Sequence, residues 1–117
     1  FDTTHIYVKD NKELIKFYQK ETKRVFESEV ARIVPYFENI PPFCLKIRKM
    51  KTRWGVNNLT QKTITLNSEL LKKDLDLLDY VIIHELCHFY EANHSERFWR
   101  HVEKYYPHYK EARRRLR

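Results

Sequence analysis

Apolar and polar positions follow helical spacing in the first third of the chain. Apolar residues recur at intervals of three and four from about residue 11 to residue 34, which predicts a long amphipathic helix. Asp10 and Glu13 form a D-x-x-E capping pattern at its start. Pro35 would end the helix, because proline has no N–H to donate within a helix. The apolar positions are Leu14, Phe17, Tyr18, Val25, Phe26, Val30 and Ile33.

The pattern then changes to alternation. Leu45 and Ile47 alternate with cationic side chains, which is typical of a half-buried strand. Two further strands are predicted at residues 54–57 and 63–66, the last of them rich in β-branched residues. Because the segments are short and closely spaced, we expect a small antiparallel sheet.

The most apolar stretch predicts a buried helix over about residues 76–90, because its apolar side chains lie on every side of the helix. Ser95 is placed to cap a further helix that runs to about Tyr106, and Pro107 can open a last one. The sequence therefore predicts an α+β fold. It has a long N-terminal helix, a small antiparallel sheet packed on a buried helix, and C-terminal helices.

Length and composition indicate one folded domain over residues 1–117, with 42% hydrophobic residues. The chain starts at Phe1 rather than at methionine, so we expect a C-terminal fragment of a longer chain. No apolar run approaches the roughly 20 residues that span a bilayer, so no membrane partner is expected. Cys44 and Cys87 are too few for a disulfide framework, which favours a reducing, cytoplasmic setting.

The formal net charge is +7, which favours acidic partners. Part of this charge is local, at Arg113, Arg114, Arg115 and Arg117. A basic C-terminus of this kind could bind nucleic acid through counterion release. The alternative is a solvated helix end whose cations suit the helix dipole.

The strongest chemical signal is His84-Glu85-Leu86-Cys87-His88, an H-E-x-x-H motif. Residues four apart lie on the same face of a helix, so both imidazoles can reach one zinc ion. Glu85 lies beside that face, where a carboxylate can take a proton from an attacking water molecule. Polar groups inside a predicted buried helix are costly to desolvate, and a shared metal ion would offset that cost.

A third ligand would leave one position open for water. His94 follows His88 by six residues, which is the spacing of the metzincin signature. That signature has glycine where this chain has Glu91, so we expect Asn93 to turn the chain in a left-handed conformation. The alternative third ligands are Glu96 and Glu103.

Other residues near the motif have weaker cases. Cys87 could bind a metal but is better interpreted as a small packed residue. His101 could face the site from the next helix, although packing is the simpler role. Asp79 and Glu91 are candidates for orienting the histidines. Phe98, Trp99, Val102 and Tyr105 recur at helical spacing and are interpreted as core that fixes the His94 loop.

Several ordered motifs together resemble the YgjP-like family of predicted zinc metallopeptidases, which is related to the SprT and WLM proteases. The matching stretches are residues 48–55, 64–67, 79–88, 93–95 and 98–99. The resemblance implies a minimal zincin-like fold. It also implies three histidine ligands, which map onto His84, His88 and His94. The family usually has Ser-Cys after R-W-G, whereas this chain has Val56-Asn57.

These observations favour a zinc metallopeptidase that acts on a peptide or protein substrate with Glu85 as general base. The sequence leaves two alternatives open. One is a nucleic-acid-associated protein, such as a protease that acts on DNA-bound proteins. The other is a non-catalytic module in which Zn²⁺ is purely structural.

Overall fold

We describe residues 11–117 from a computed structural model. The chain begins with helix α1 (Asn11–Ile33), followed by a single 3₁₀ turn at Val34–Tyr36. Pro35 lies in the first positions of that turn, so the helix ends where the sequence predicted. The predicted cap at Asp10 lies outside the described residues.

Three short strands come next: β1 (Cys44–Arg48), β2 (Gly55–Asn58) and β3 (Thr63–Asn67). The 3₁₀ turn Ser68–Lys72 then leads into α2 (Leu75–Cys87), α3 (Glu96–Tyr105) and α4 (Tyr109–Arg115). This mixed α+β arrangement confirms the predicted fold class. Helix α2 ends three residues before the predicted boundary. In residues 11–117, no helix has both the length and the apolar character that crossing a lipid bilayer requires.

The sheet is mixed, so the prediction of a wholly antiparallel sheet was wrong. The strand order is β1-β3-β2; β2 pairs antiparallel with β3, whereas β1 pairs parallel with β3. A four-residue turn at residues 59–62 joins β2 to β3 as a hairpin. Residues 49–54, which we call the 49–54 loop, connect β1 to β2 across the end of β3. Strands β1 and β2 therefore lie on opposite sides of β3. Alternation along a strand predicts which side chains are buried, but it does not predict this crossing.

The buried side chain of Asn67 holds the 49–54 loop. Its Nδ2 donates to the carbonyl oxygens of Met50 and Arg53 at 2.9 and 2.8 Å. Its Oδ1 accepts from the backbone N–H groups of Met50 and Glu69 at 3.4 and 3.0 Å. The Asn67 N–H donates to Trp54 O at 2.9 Å. The side-chain amide of Asn67 therefore makes all of its hydrogen bonds and holds the loop against the end of β3.

Helix α2 lies at the centre of the fold. It contacts α1, the sheet, α3 and α4, and nine of its thirteen residues are buried. This is the environment expected for a helix that is apolar all round. The polar side chains at its C-terminal end must therefore face either a partner or a cleft.

An ion cluster joins α1 to α2. Arg32 Nη2 lies 2.6 Å from both Glu29 Oε2 and Asp79 Oδ2. Burial, reinforced by the neighbouring Glu29 carboxylate, raises the pKa of Asp79 to about 7. Hydrogen bonds from Asp79 and Arg32 lower the pKa of Glu29. Asp79 Oδ1 is buried without a hydrogen-bond partner among the described residues. A proton on the Asp79 carboxyl group lets this group donate a hydrogen bond to the Glu29 carboxylate.

Asp79→Asn should remove a pH-dependent loss of stability. A carboxyl with a raised pKa in the folded state stabilises that state when protonated and loses this contribution as pH rises towards about 7. As pH rises from 5 to 8, the free energy of unfolding of the variant should therefore increase by about 1 kcal/mol relative to that of the wild type, after allowance for solvent screening. Urea unfolding at both pH values measures this change. The exposed Glu27→Gln on α1 is the control, and an equal change there would contradict the assignment.

Candidate metal centre

Three imidazoles converge at the C-terminal end of α2. His84 and His88 lie one turn apart on the helix, and His94 reaches them from the loop between α2 and α3. The ring centroids are separated by 5.1 Å for His84–His88, 5.2 Å for His84–His94 and 4.8 Å for His88–His94. The structure thus brings together the three histidines that the sequence selected, in a nearly equilateral triangle.

The donor set fits a divalent transition-metal ion. One ring nitrogen from each histidine lies within 4.8 Å of the others. Because zinc–nitrogen bonds are about 2.0–2.1 Å long, small rotations of the rings would let all three bind one ion. Burial lowers the pKa of His88 and, with help from the neighbouring imidazoles, that of His94. A lowered pKa favours the neutral imidazole, which is the form that binds a metal.

The turn after α2 positions His94 without a left-handed residue. The N–H groups of Tyr90 and Glu91 donate to Cys87 O at 2.9 and 3.1 Å, and His88 Nδ1 lies 3.2 Å from Glu91 O. The prediction of a left-handed Asn93 was wrong, since only Asn39 and Lys62 have positive φ among the non-glycine residues described. A turn that stays at negative φ needs no glycine in the place of Glu91.

Ser95 caps α3 as predicted, and this cap places Phe98 beneath the histidines. Ser95 Oγ accepts from the Phe98 N–H at 3.3 Å. The Phe98 ring is fully buried and stacks on His88 at 4.4 Å. It meets His84 and His94 edge-on at 4.9 and 5.0 Å. Helical periodicity predicted Phe98 as core, but only the fold reveals that it supports all three imidazoles.

Glu85 is buried beside the histidines. Its Oε2 lies 3.1 Å from His84 Nδ1. Strand β2 passes so close that a Cβ on Gly55 would lie 2.9 Å from Val81 Cγ1, 3.0 Å from Glu85 Cγ and 3.1 Å from Glu85 Oε2. Asn57 Nδ2 donates to Glu85 O at 2.8 Å. Strand and helix therefore fix both the side chain and the backbone of Glu85.

These groups lie in a cleft of about 600 Å³. One side of the cleft is β2 and the other is formed by the end of α4. Trp54 Nε1 donates to Leu116 O at 2.9 Å, which ties the two sides together. Arg113 reaches the cleft and lies 4.3 Å from the centre of the Trp99 ring. The cleft leaves the imidazoles and Glu85 open to a ligand.

The alternative ligands are not part of the histidine cluster. The described metal-binding group contains His84, His88 and His94, and neither Glu96 nor Glu103 belongs to it. Glu96 is exposed and pairs with Arg100 at 2.7 Å. Cys87 is buried, and burial raises the pKa of its thiol to about 12, so it stays protonated and packs as expected.

The remaining candidates have other contacts. His101 packs against Tyr90, with ring centroids 4.8 Å apart. Asp79 contacts α1 rather than a histidine. Glu91 does approach His88, but through its backbone carbonyl rather than its carboxylate.

The chain is similar to known metallopeptidases. The family described as "YgjP-like, metallopeptidase domain" matches residues 5–117. The metallopeptidase zymogen jannalysin of Methanocaldococcus jannaschii has a TM-score of 0.68 and 25% identity, with 78% of this chain and 92% of that chain covered. The metallopeptidase zymogen abylysin of Pyrococcus abyssi has a TM-score of 0.63 and 30% identity, with 81% and 90% covered. The sequence matches no curated protein.

Phe98→Leu should weaken metal binding, because the smaller side chain leaves the three imidazoles without their common support. We expect affinity for a divalent metal ion to fall about 10-fold, as for other changes that disturb ligand orientation. Titration against a competing chelator measures this, with His94→Ala as the reference for a lost imidazole. Phe26→Leu is the matched control, because Phe26 is equally buried but lies in α1. An equal loss in both phenylalanine variants would count against a specific support.

Proposed function

The chain belongs to the YgjP-like metallopeptidase family, and we propose that it hydrolyses peptide bonds at a zinc ion held by three imidazoles. The ligands would be His84, His88 and His94. The general base would be Glu85. The observation that carries this proposal is the convergence of three histidine rings and one buried carboxylate on a single open cleft.

A zinc ion bound there would supply Lewis acidity, which activates water and polarises a substrate carbonyl. Glu85 accepts a proton from the attacking water at its carboxylate and gives it to the leaving amine nitrogen. The close approach of Gly55 restricts where that carboxylate can move. The bond from Asn57 to Glu85 O holds the backbone of the same residue. The chain thus keeps the base in position for both proton transfers.

The free edge of β2 suits an extended substrate. Strand β3 is paired on both sides, so residues 63–67 cannot accept an added strand. Strand β2 is an edge strand, and its residues line the cleft beside the imidazoles. A peptide could therefore add to β2 through backbone hydrogen bonds and bring its carbonyl towards Glu85.

The rival functions have less support. Three of the four C-terminal arginines are engaged within the fold: Arg114 Nε donates to Glu111 at 3.0 Å, Arg115 pairs with Asp74 and Asp76, and Arg113 lies on the Trp99 ring. These contacts favour a structural role over nucleic-acid binding. A purely structural zinc site would have four protein ligands, whereas the cluster found in residues 11–117 has three members.

Glu85→Gln should keep the metal and lose hydrolysis. Glutamine preserves the size of the side chain but cannot accept the proton, so we expect a fall of roughly 10²–10⁴-fold. Metal content and cleavage of an unfolded protein substrate are measured together. Glu96→Gln, an exposed carboxylate on α3, is the control. Wild-type hydrolysis by Glu85→Gln would contradict the proposed base.

Gly55→Ala should lower hydrolysis without removing the metal. The added methyl group would lie 2.9 Å from Val81 Cγ1 and 3.0 Å from Glu85 Cγ, so it must displace β2 or the side chains of Val81 and Glu85. Because a misplacement of about 1 Å can cost about 10²-fold in rate, we expect a loss of that order. Metal content and thermal unfolding measured on the same sample separate a displaced base from a misfolded protein. Full activity in a folded variant would show that the contact does not position Glu85.

A further inference from the structure

A second cavity, which we call the basic cavity, lies next to the metal cleft. It has a volume of about 650 Å³ and is formed by the 49–54 loop and the end of the 3₁₀ turn before α2. Five cationic side chains line it, namely Lys49, Lys51, Arg53, Lys72 and Lys73. The carboxylate that lines it is Glu69, which accepts from Lys72 Nζ at 3.3 Å. Five positive charges against one negative charge leave a net charge of +4.

The cations of the basic cavity have few partners within the protein. In the part of the chain that the structure describes, Lys49, Lys51, Arg53 and Lys73 form no ion pair with a carboxylate. Lys73 Nζ lies 5.6 Å from the centre of the Trp54 ring. Arg113, Arg114 and Arg115, by contrast, pair with carboxylates or lie on an aromatic ring. Concentrated like charges repel one another, and an anionic ligand would relieve that repulsion.

The backbone that carries these cations is held in place before any ligand binds. Asn67 is 3% exposed and bonds to the 49–54 loop at both Met50 and Arg53. A loop fixed in this way loses little conformational freedom on binding, which favours affinity. The fold therefore sets the backbone positions of the cationic residues in the 49–54 loop, while their exposed side chains can adjust to a ligand.

The basic cavity adjoins the metal cleft. Arg53, Trp54 and Leu116 line both spaces. Strand β2 begins at Gly55, directly after this boundary. A peptide that extends along the free edge of β2 past Gly55 could therefore reach the basic cavity within a few residues of Glu85.

We propose that the basic cavity is a specificity subsite that binds acidic side chains of the polypeptide substrate. This inference rests on the proposed peptidase function, because it places the acidic residues a few positions from the cleaved bond. A peptide fits better than single-stranded nucleic acid, which binds by stacking bases on open aromatic faces. The Trp54 ring is half-buried, its N–H bonds to Leu116 O, and Lys73 lies over it.

Cleavage of a complex peptide mixture, read by mass spectrometry, tests the subsite. The wild type should enrich Asp and Glu about 10-fold at one or two positions near the cleaved bond. Lys51→Gln combined with Lys73→Gln should abolish the enrichment while cleavage of neutral peptides continues. Lys46→Gln with Lys62→Gln makes the same charge change on exposed residues that line neither space. Equal enrichment in the two double variants, or none in the wild type, would overturn the proposal.

A binding measurement separates failure of the subsite from failure of the peptidase function. Zinc-loaded Glu85→Gln is titrated with two labelled peptides that differ only in three Glu against three Gln. The Glu peptide should bind about 10-fold more tightly, less so at high salt, and the Lys51 and Lys73 changes should remove the difference. If this holds while no peptide is cleaved, the subsite stands and the peptidase function fails. Equal binding, or tighter binding of a single-stranded oligonucleotide through the same lysines, would overturn the subsite.

Discussion

The close approach of β2 to α2 is the constraint on which the site depends. Helix α2 is covered on nearly every side, so its polar end can face only the cleft. Gly55 lets the strand lie directly against Glu85, and Asn57 bonds to the same residue. Desolvating a carboxylate costs free energy, and the contact of Glu85 Oε2 with His84 Nδ1 at 3.1 Å offsets part of it. The contact that closes the core thus also sets the geometry of the candidate site.

The sequence predicted the elements better than their arrangement. Helices α1 and α2 were predictable because long apolar periodicity reflects burial, and H-E-x-x-H followed by His94 indicated which side chains would meet. The position of β1 beside β3 was not predictable, because strand pairing depends on how residues 49–54 cross the sheet. Periodicity predicted Phe98 only as a core residue. Its contacts with the three imidazoles join different segments of the chain, so the local pattern could not reveal them.

Charged residues that cluster along the sequence are not the ones that form the basic cavity in the folded protein. The arginines that crowd the C-terminus look like a surface for an acidic partner, yet Arg115 pairs with Asp74 and Asp76 and holds α4 to the start of α2. The cations of the basic cavity, by contrast, are separated along the chain between residues 49 and 73 and meet only in the fold. Density of charge along a chain is therefore a poor guide to the electrostatic surface when oppositely charged residues lie far away in sequence.

The turn between His88 and His94 has a consequence for how such proteins are recognised. Its hydrogen bonds to the Cys87 carbonyl reverse the chain with every residue at negative φ, so position 91 does not require glycine. A signature that demands glycine three residues after the second histidine would overlook this chain and others built like it. In this chain the spacing of the histidines is combined with the Ser95 cap and the buried Phe98 that follows it. A pattern written in those terms would follow the physical requirement rather than one of its solutions.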